Sequence, residues 1–178
     1  MGAEMALVAI GANLPQADGT PAIETCRWVV RRLATLRGMR LLAVSSWWES
    51  APIPPDPGTP PYINGVVRLE GKAEPEALLA ALHAIEDEAG RVRPYLNAPR
   101  VLDLDLIDLG GRVRDAPPPV LPHPRAHLRA FVLRPLAEVA PGWMHPALGQ
   151  SVEVLTETVA GQEIRRVAEG CPPSRPSA

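Results

Sequence analysis

Residues 99 to 107 read Pro-Arg-Val-Leu-Asp-Leu-Asp-Leu-Ile, and no other stretch constrains the fold as tightly. Asp103 and Asp105 alternate with Leu102, Leu104 and Leu106. A period of two fits a β-strand, with both carboxylates on one face and the leucines on the other. The two carboxylates then stand roughly 6.6 Å apart. At an effective dielectric of about 20 they repel by on the order of 2.5 kcal/mol. A semi-buried face keeps such a pair when a cation sits between them, and a hard divalent ion held by oxygen is the obvious candidate. The alternative is a solvated strand face, and the flanking residues have to decide between them.

The rest of the chain supplies a partner sheet for this strand. Met5 to Ile10 is a short apolar run ending at Gly11-Ala12-Asn13, a buried strand entering a turn. Pro21 opens a stretch with Ile23, Cys26, Val30 and Leu33 at helical spacing, closed near Gly38. Arg40 to Trp48 and Tyr62 to Leu69 are β-like, and Glu74-Pro75-Glu76 starts a second helix through Leu78, Leu82 and Ile85 to Gly90. After the acidic strand, Gly110-Gly111 turns the chain into Arg112-Val113. The order β-α-β-β-α-β predicts an α+β fold, a ferredoxin-like plait with an antiparallel sheet and both helices on one face. Phe131 to Val139 and Ser151 to Val159 add C-terminal helical segments. One domain over residues 1–165 is expected, followed by a disordered tail over 166–178 rich in Pro and Ser near its end.

Composition removes several classes of function. The net charge of −2 provides no basic field for nucleic acid or anionic membrane. Seven aromatics, with no stacking pattern on the candidate strands, argue against RNA recognition by this plait. Cys26 and Cys171 form neither a disulfide framework nor a zinc motif, and no apolar run is long enough to span a bilayer. A cytoplasmic protein, working as a monomer on small molecules, is the expectation.

Three groups of residues bear on chemistry. Ala51 to Pro61 holds six prolines in eleven residues, a stiff loop suited to closing over a ligand or else a tolerated surface insertion. Tyr62 and Asn64 follow on one strand face, and an amide suits the edge of a heterocycle. Arg91, Arg93 and Arg100 gather before the acidic strand, and His123-Pro124-Arg125-Ala126-His127-Leu128-Arg129 follows it. They read either as a solvated basic arm or as ligands for phosphate. Carboxylate-held Mg²⁺ with several arginines is the equipment of phosphoryl transfer. Neither a P-loop nor a protein-kinase signature occurs, so nucleotide chemistry here needs another scaffold. His123 and His127 also admit a zinc reading, weakened by Pro124 and by the lack of a glutamate between them.

With these pieces in order the chain resembles the 6-hydroxymethyl-7,8-dihydropterin pyrophosphokinase family of folate biosynthesis, from about Ala6 to Leu155. The resemblance is carried by Ala9-Ile10-Gly11-Ala12-Asn13-Leu14, Ser45-Ser46-Trp47-Trp48-Glu49, Pro61-Tyr62-Ile63-Asn64 and Ile85-Glu86 with Gly90-Arg91-Val92-Arg93. Pro99-Arg100-Val101-Leu102-Asp103-Leu104-Asp105 and Leu121-Pro122-His123 with Arg129-Ala130-Phe131 complete it. It implies transfer of pyrophosphate from ATP, the co-substrate, to the pterin hydroxymethyl group, releasing AMP. Asp103 and Asp105 would then hold two Mg²⁺ ions, with Arg91 and Arg100 on phosphate oxygens. His83, Glu86, Arg93, His123 and Arg129 match ATP-contacting positions. Asn64 would bond the pterin, between the aromatic wall of Tyr62 and Phe131 and the loop residues Ser50, Pro52 and Ile53. Where many members carry R-W-G-P-R, this chain has Leu96-Asn97-Ala98-Pro99-Arg100 in a shorter arm. The tyrosine after the family's L-P-H is Pro124, and an upstream arginine is replaced by Pro118. The length leaves no room for fused folate-pathway domains, so the chain is expected to act alone. A non-catalytic pterin- and nucleotide-binding domain of the same fold is the alternative.

Overall fold

The computed structural model describes residues 2–90 and 101–168. Its elements are β1 (Glu4–Ala12), α1 (Ala22–Leu33), β2 (Met39–Val44), β3 (Trp48–Ser50), β4 (Tyr62–Gly71), α2 (Pro75–Glu88), β5 (Asp103–Leu109), a 3-10 turn (Ala126–Leu128), α3 (Ala130–Val139), α4 (Val152–Thr158) and β6 (Ile164–Arg166). All strand pairings are antiparallel, in the order β5-β1-β4-β3-β6, with β2 also paired to β4. The plait predicted from the sequence is therefore present.

β1 lies between β5 and β4 and is buried on both faces, which is why its sequence is a nearly unbroken apolar run. Ala6, Val8 and Ile10 face a core built with Val29 and Leu33 of α1, Leu78 and Leu82 of α2, and Leu104 and Leu106 of β5. Leu7 and Ala9 face the opposite core, with Val132, Leu133 and Leu136 of α3 and Val152 and Leu155 of α4. The first two helices thus share one face as expected, and the C-terminal helices cover part of the other. Pro75 at the first position of α2 lacks only an N–H that the helix start could not use, and Gly90 at φ 83° follows its end.

Three local expectations change. The single strand expected over 40–48 is two strands, β2 and β3, broken at Ser45 to Trp47. Ser45 causes the break: its Oγ accepts the Val66 N–H at 2.9 Å and donates to Ser46 O at 2.7 Å, taking a place in the ladder that a backbone carbonyl would otherwise fill. After Gly110 and Gly111, both at positive φ, the chain forms only one isolated bridge, Arg114 to Leu121. Pro117, Pro118 and Pro119 between those partners have no N–H to extend a hairpin. Finally, β6 carries ordered chain across the 165/166 boundary; Arg166 pairs with Trp48, and the Val167 N–H donates to Trp47 O at 2.8 Å. Among the described residues, no helix is long and apolar enough to cross a membrane.

Candidate active site

Strand register assembles the site. Asp103 of β5 lies opposite Gly11 of β1, which lies opposite Asn64 of β4, which lies opposite Trp48 of β3. Asp105 lies opposite Ala9, and Tyr62 opposite Ser50. Directly opposed residues of an antiparallel pair share a face. Asp103, Asp105, Ala9, Gly11, Asn64, Tyr62 and Ser50 therefore line one side of the sheet, the side that α3 covers only in part. Where that cover ends, a cavity of about 350 Å³ opens over them.

The cavity brings together most of the residues expected from the sequence. Ser50, Ile53, Tyr62, Asn64, Asp103, Asp105, Arg129 and Phe131 all line it. Small side chains at Ala9 and Gly11 form its floor between the acidic pair and Asn64. Asn64 is buried, and its Nδ2 donates to Ser50 Oγ at 2.9 Å and points to Trp48 O at 3.2 Å. The amide nitrogen is thus held inside the protein, and Oδ1 is left as the acceptor on the Gly11 side. The Arg129 guanidinium lies 5.4 Å over the Phe131 ring, a cation stacked on the aromatic wall.

His123 stands at the edge of the acidic pair, its Nε2 3.8 Å from Asp105 Oδ1. Its Nδ1 accepts the Arg125 N–H at 3.2 Å, so the neutral ring carries its proton on Nε2, toward Asp105. Burial pushes the imidazole down to about 4, with Arg129 and Arg125 adding to the effect against the pull of Asp103. The ring is neutral at pH 7, and its approach to Asp105 is not an ion pair.

Other expected residues fall elsewhere. His83 is exposed on α2 and does not line the cavity. Glu86 is 1 % exposed beneath β5, where Oε2 accepts the Leu104 N–H at 3.3 Å and ties α2 to the acidic strand. Pro52 belongs to the proline-rich loop, yet the lining residues of that loop are Ala51, Ile53 and Pro54. Arg91, Arg93 and Arg100 lie outside the described residues, as does Tyr95. His123 and His127 do not converge as a zinc pair: the His127 ring packs edge-on against His145 at 5.3 Å. The lining also includes Ala9 and Gly11, to which the sequence reading gave no role, and Arg125, which it named only within the basic stretch after the acidic strand. Arg125 stands four residues before Arg129, a spacing that was visible but silent about direction.

The family model for 7,8-dihydro-6-hydroxymethylpterin-pyrophosphokinase (HPPK) matches residues 7–141. The chain belongs to the HPPK family. A 2-amino-4-hydroxy-6-hydroxymethyldihydropteridine pyrophosphokinase of Synechocystis sp. is 38% identical over 165 residues, 93% of this chain and 81% of that protein. The enzyme of the same name from Pseudomonas aeruginosa is 42% identical over 134 residues, 75% of this chain and 79% of its own length. A solved HPPK-DHPS structure of Plasmodium falciparum, with pterin and p-hydroxybenzoate, shares the fold at a TM-score of 0.68 and 10% identity; the match covers 89% of this chain and 44% of that one. The chain thus spans less than half of that longer HPPK-DHPS chain. All the lining residues described above lie inside the segment that the HPPK family model matches.

Proposed function

We propose that the chain transfers pyrophosphate from ATP to the hydroxymethyl group of 6-hydroxymethyl-7,8-dihydropterin, releasing AMP, in folate biosynthesis. One observation carries the reading: an acidic pair, two arginines and an amide-aromatic wall meet in a single cavity. The HPPK match and the names of the relatives support it.

Asn64 Oδ1 accepts from the pterin edge, oriented by Ser50. Tyr62 and Phe131 flank the ring, and Ala51, Ile53 and Pro54 close the loop side. Ala9 and Gly11 let the ring lie close to the sheet. The pterin alcohol oxygen then attacks the β-phosphorus; its bond to that phosphorus forms as the bond to the α,β-bridging oxygen breaks. The bridging oxygen leaves with AMP, and the alcohol proton is released to solvent.

The acidic pair fits Mg²⁺. It offers two carboxylates on one strand face, and no group of three or more His, Cys, Asp and Glu able to cage a metal occurs among the described residues. An ion that keeps waters and shares phosphate oxygens needs only such an open carboxylate platform. Asp103 and Asp105 would hold two such ions, which when bound neutralise charge along the triphosphate. Arg129, with Arg91 and Arg100, binds phosphate oxygens, and His123 serves as a neutral donor through Nε2. His83, Glu86 and Arg93 stay with the ATP side of this reading, Glu86 by fixing α2 against β5. Cytoplasmic ATP and a diffusing pterin are the partners, and the catalytic domain includes β6.

The test is AMP formation by the purified chain. AMP is expected only when Mg²⁺, ATP and the pterin alcohol are all present. Pterin binding without AMP would leave a binding domain, and AMP that appears without pterin would refute the assigned acceptor.

A further inference from the structure

We propose that Arg125 grips the diphosphate that is transferred, so that it holds the pterin diphosphate product rather than the AMP half of ATP. The inference rests on the pyrophosphokinase reading above and assigns a residue that reading leaves idle.

Arg125 lines the cavity along with Arg129, Asp103 and Asp105. Its backbone is held in place: the N–H donates to His123 Nδ1 at 3.2 Å, and the carbonyl accepts the Leu128 N–H at 3.1 Å. Several surface arginines are neutralised by glutamates, as in Arg32 with Glu88, Arg112 with Glu4, Arg114 with Glu76 and Arg165 with Glu49. Among the described residues Arg125 forms no salt bridge, although two carboxylates line the same cavity. Its side chain is exposed.

Charge and position identify what it meets. The charged side chains among the described lining residues are Asp103, Asp105, Arg125 and Arg129. Once cations occupy the acidic pair, the positive charge of Arg125 is left for an anion. A cavity of about 350 Å³ is within the range of small-molecule sites. Its lining joins the amide-aromatic wall assigned to the pterin to the acidic pair and both arginines. The phosphates that share it are those that end on the pterin, and a guanidinium fork matches their non-bridging oxygens.

The test measures affinity by calorimetry, in Mg²⁺, for the pterin alcohol, the pterin diphosphate and AMP, beside steady-state AMP formation. For Arg125→Ala, affinity for the pterin diphosphate should fall about tenfold, the loss of one charge-assisted contact. KM for ATP should rise by a similar factor, while alcohol and AMP affinities stay within about twofold of wild type. Product affinity in the variant should also depend less steeply on salt. Arg125→Lys should recover part of the loss, Arg125→Gln should repeat it with a polar but uncharged side chain, and Arg37→Ala, on the exposed turn after α1, should change nothing. Unchanged product affinity in Arg125→Ala and Arg125→Gln overturns the inference, and so does an equal loss for alcohol and diphosphate. A wild type that makes no AMP overturns the proposed function and this inference together, whereas an active wild type with indifferent variants overturns this inference alone.

Discussion

Gly11 and Gly65 lie on adjacent rows of the β1–β4 ladder and should respond to alanine in opposite ways. At Gly11 the backbone is ordinary extended strand, and an added Cβ meets only Asn64 Oδ1, at 3.7 Å. That is normal van der Waals contact, so the fold accommodates the methyl. Gly→Ala at a compatible site stabilises by about 0.4–1 kcal/mol through the unfolded chain. For a chain of this size that is a rise of about 1–4 °C in Tm. The methyl, however, stands on the cavity floor between Asp103 and Asn64, where the pterin must lie close. Displacing a fitted ring costs about 1–3 kcal/mol, a loss of roughly 5- to 150-fold in pterin affinity.

At Gly65 the side-chain direction is reversed. A Cβ there comes to 2.6 Å from Trp47 Cζ3 and 3.2 Å from Ser45 Oγ, which already holds the Val66 N–H. The indole has to move, at a cost of about 1–3 kcal/mol, or roughly 2–12 °C. Thermal melts and a fluorescence titration with the pterin alcohol measure both variants. Gly11→Ala should melt at or above wild type and bind pterin poorly, whereas Gly65→Ala should melt low. Wild-type pterin affinity in Gly11→Ala, or a melt as depressed as that of Gly65→Ala, would refute the placement of the pterin on this floor.

Asp105→Asn should cut AMP formation by several orders of magnitude while the far-UV spectrum is unchanged. Mg²⁺ at about ten times its dissociation constant should raise the wild-type Tm by about 3–6 °C but not that of the variant; a variant that still turns over would sink the metal assignment. Burial pushes the Cys26 thiol up to about 12, so a disulfide reagent at neutral pH should label it only on unfolding, and rapid labelling of native protein would contradict its burial. Burial, with His127 beside it, holds His145 below its usual 6.5, and its Nδ1 accepts the Ala147 and Leu148 N–H groups. The unfolded chain therefore takes up this proton first, and the stability present above 6.5 is lost as pH falls below it. The urea midpoint should drop between about pH 7.5 and about pH 5.5, and less so in His145→Asn, which keeps an acceptor; equal drops in both would refute the assignment.

What the sequence reveals depends on how far away the deciding partner lies. The alternation of Asp103 to Leu106 shows the strand and its two faces because period and burial are local properties. Tyr62 and Asn64 are legible for the same reason, and the order of periodicities is enough for the plait. The β2–β3 break is not, because it depends on Ser45 meeting Val66 across the sheet. β6 is three residues, Ile-Arg-Arg, with no period to read; it is held by pairing to β3 and by the Arg166 guanidinium 5.0 Å over the Trp48 ring. Arg125 and Arg129 are equally basic in sequence, and only the turn at 126–128 shows that both reach one cavity.

Asp108 shows the same limit and a device that overcomes it. Strict alternation from Asp103 would turn Asp108 inward with the leucines, against α1 and α2, where a carboxylate has no place. The β1–β5 register shifts between Leu7 and Val8, so that Val8 faces Leu106 and Leu7 faces Asp108, with Ile107 as the extra residue. One inserted position moves Asp108 to the α3 side, where Oδ2 accepts the Trp143 Nε1–H at 2.8 Å and Oδ1 accepts the Gly111 N–H at 3.1 Å. Burial still drives its pKa above the usual carboxylate value, against those two hydrogen bonds. Leu109 then returns to the leucine core beside Ala6. The bulge lets one strand carry three aspartates with two uses: two presented to the cavity, and a third buried to pin the turn after β5 to Trp143. Asp103 and Asp105 keep their alternation because they precede the bulge, and that order along the strand is what aims both carboxylates at the same opening.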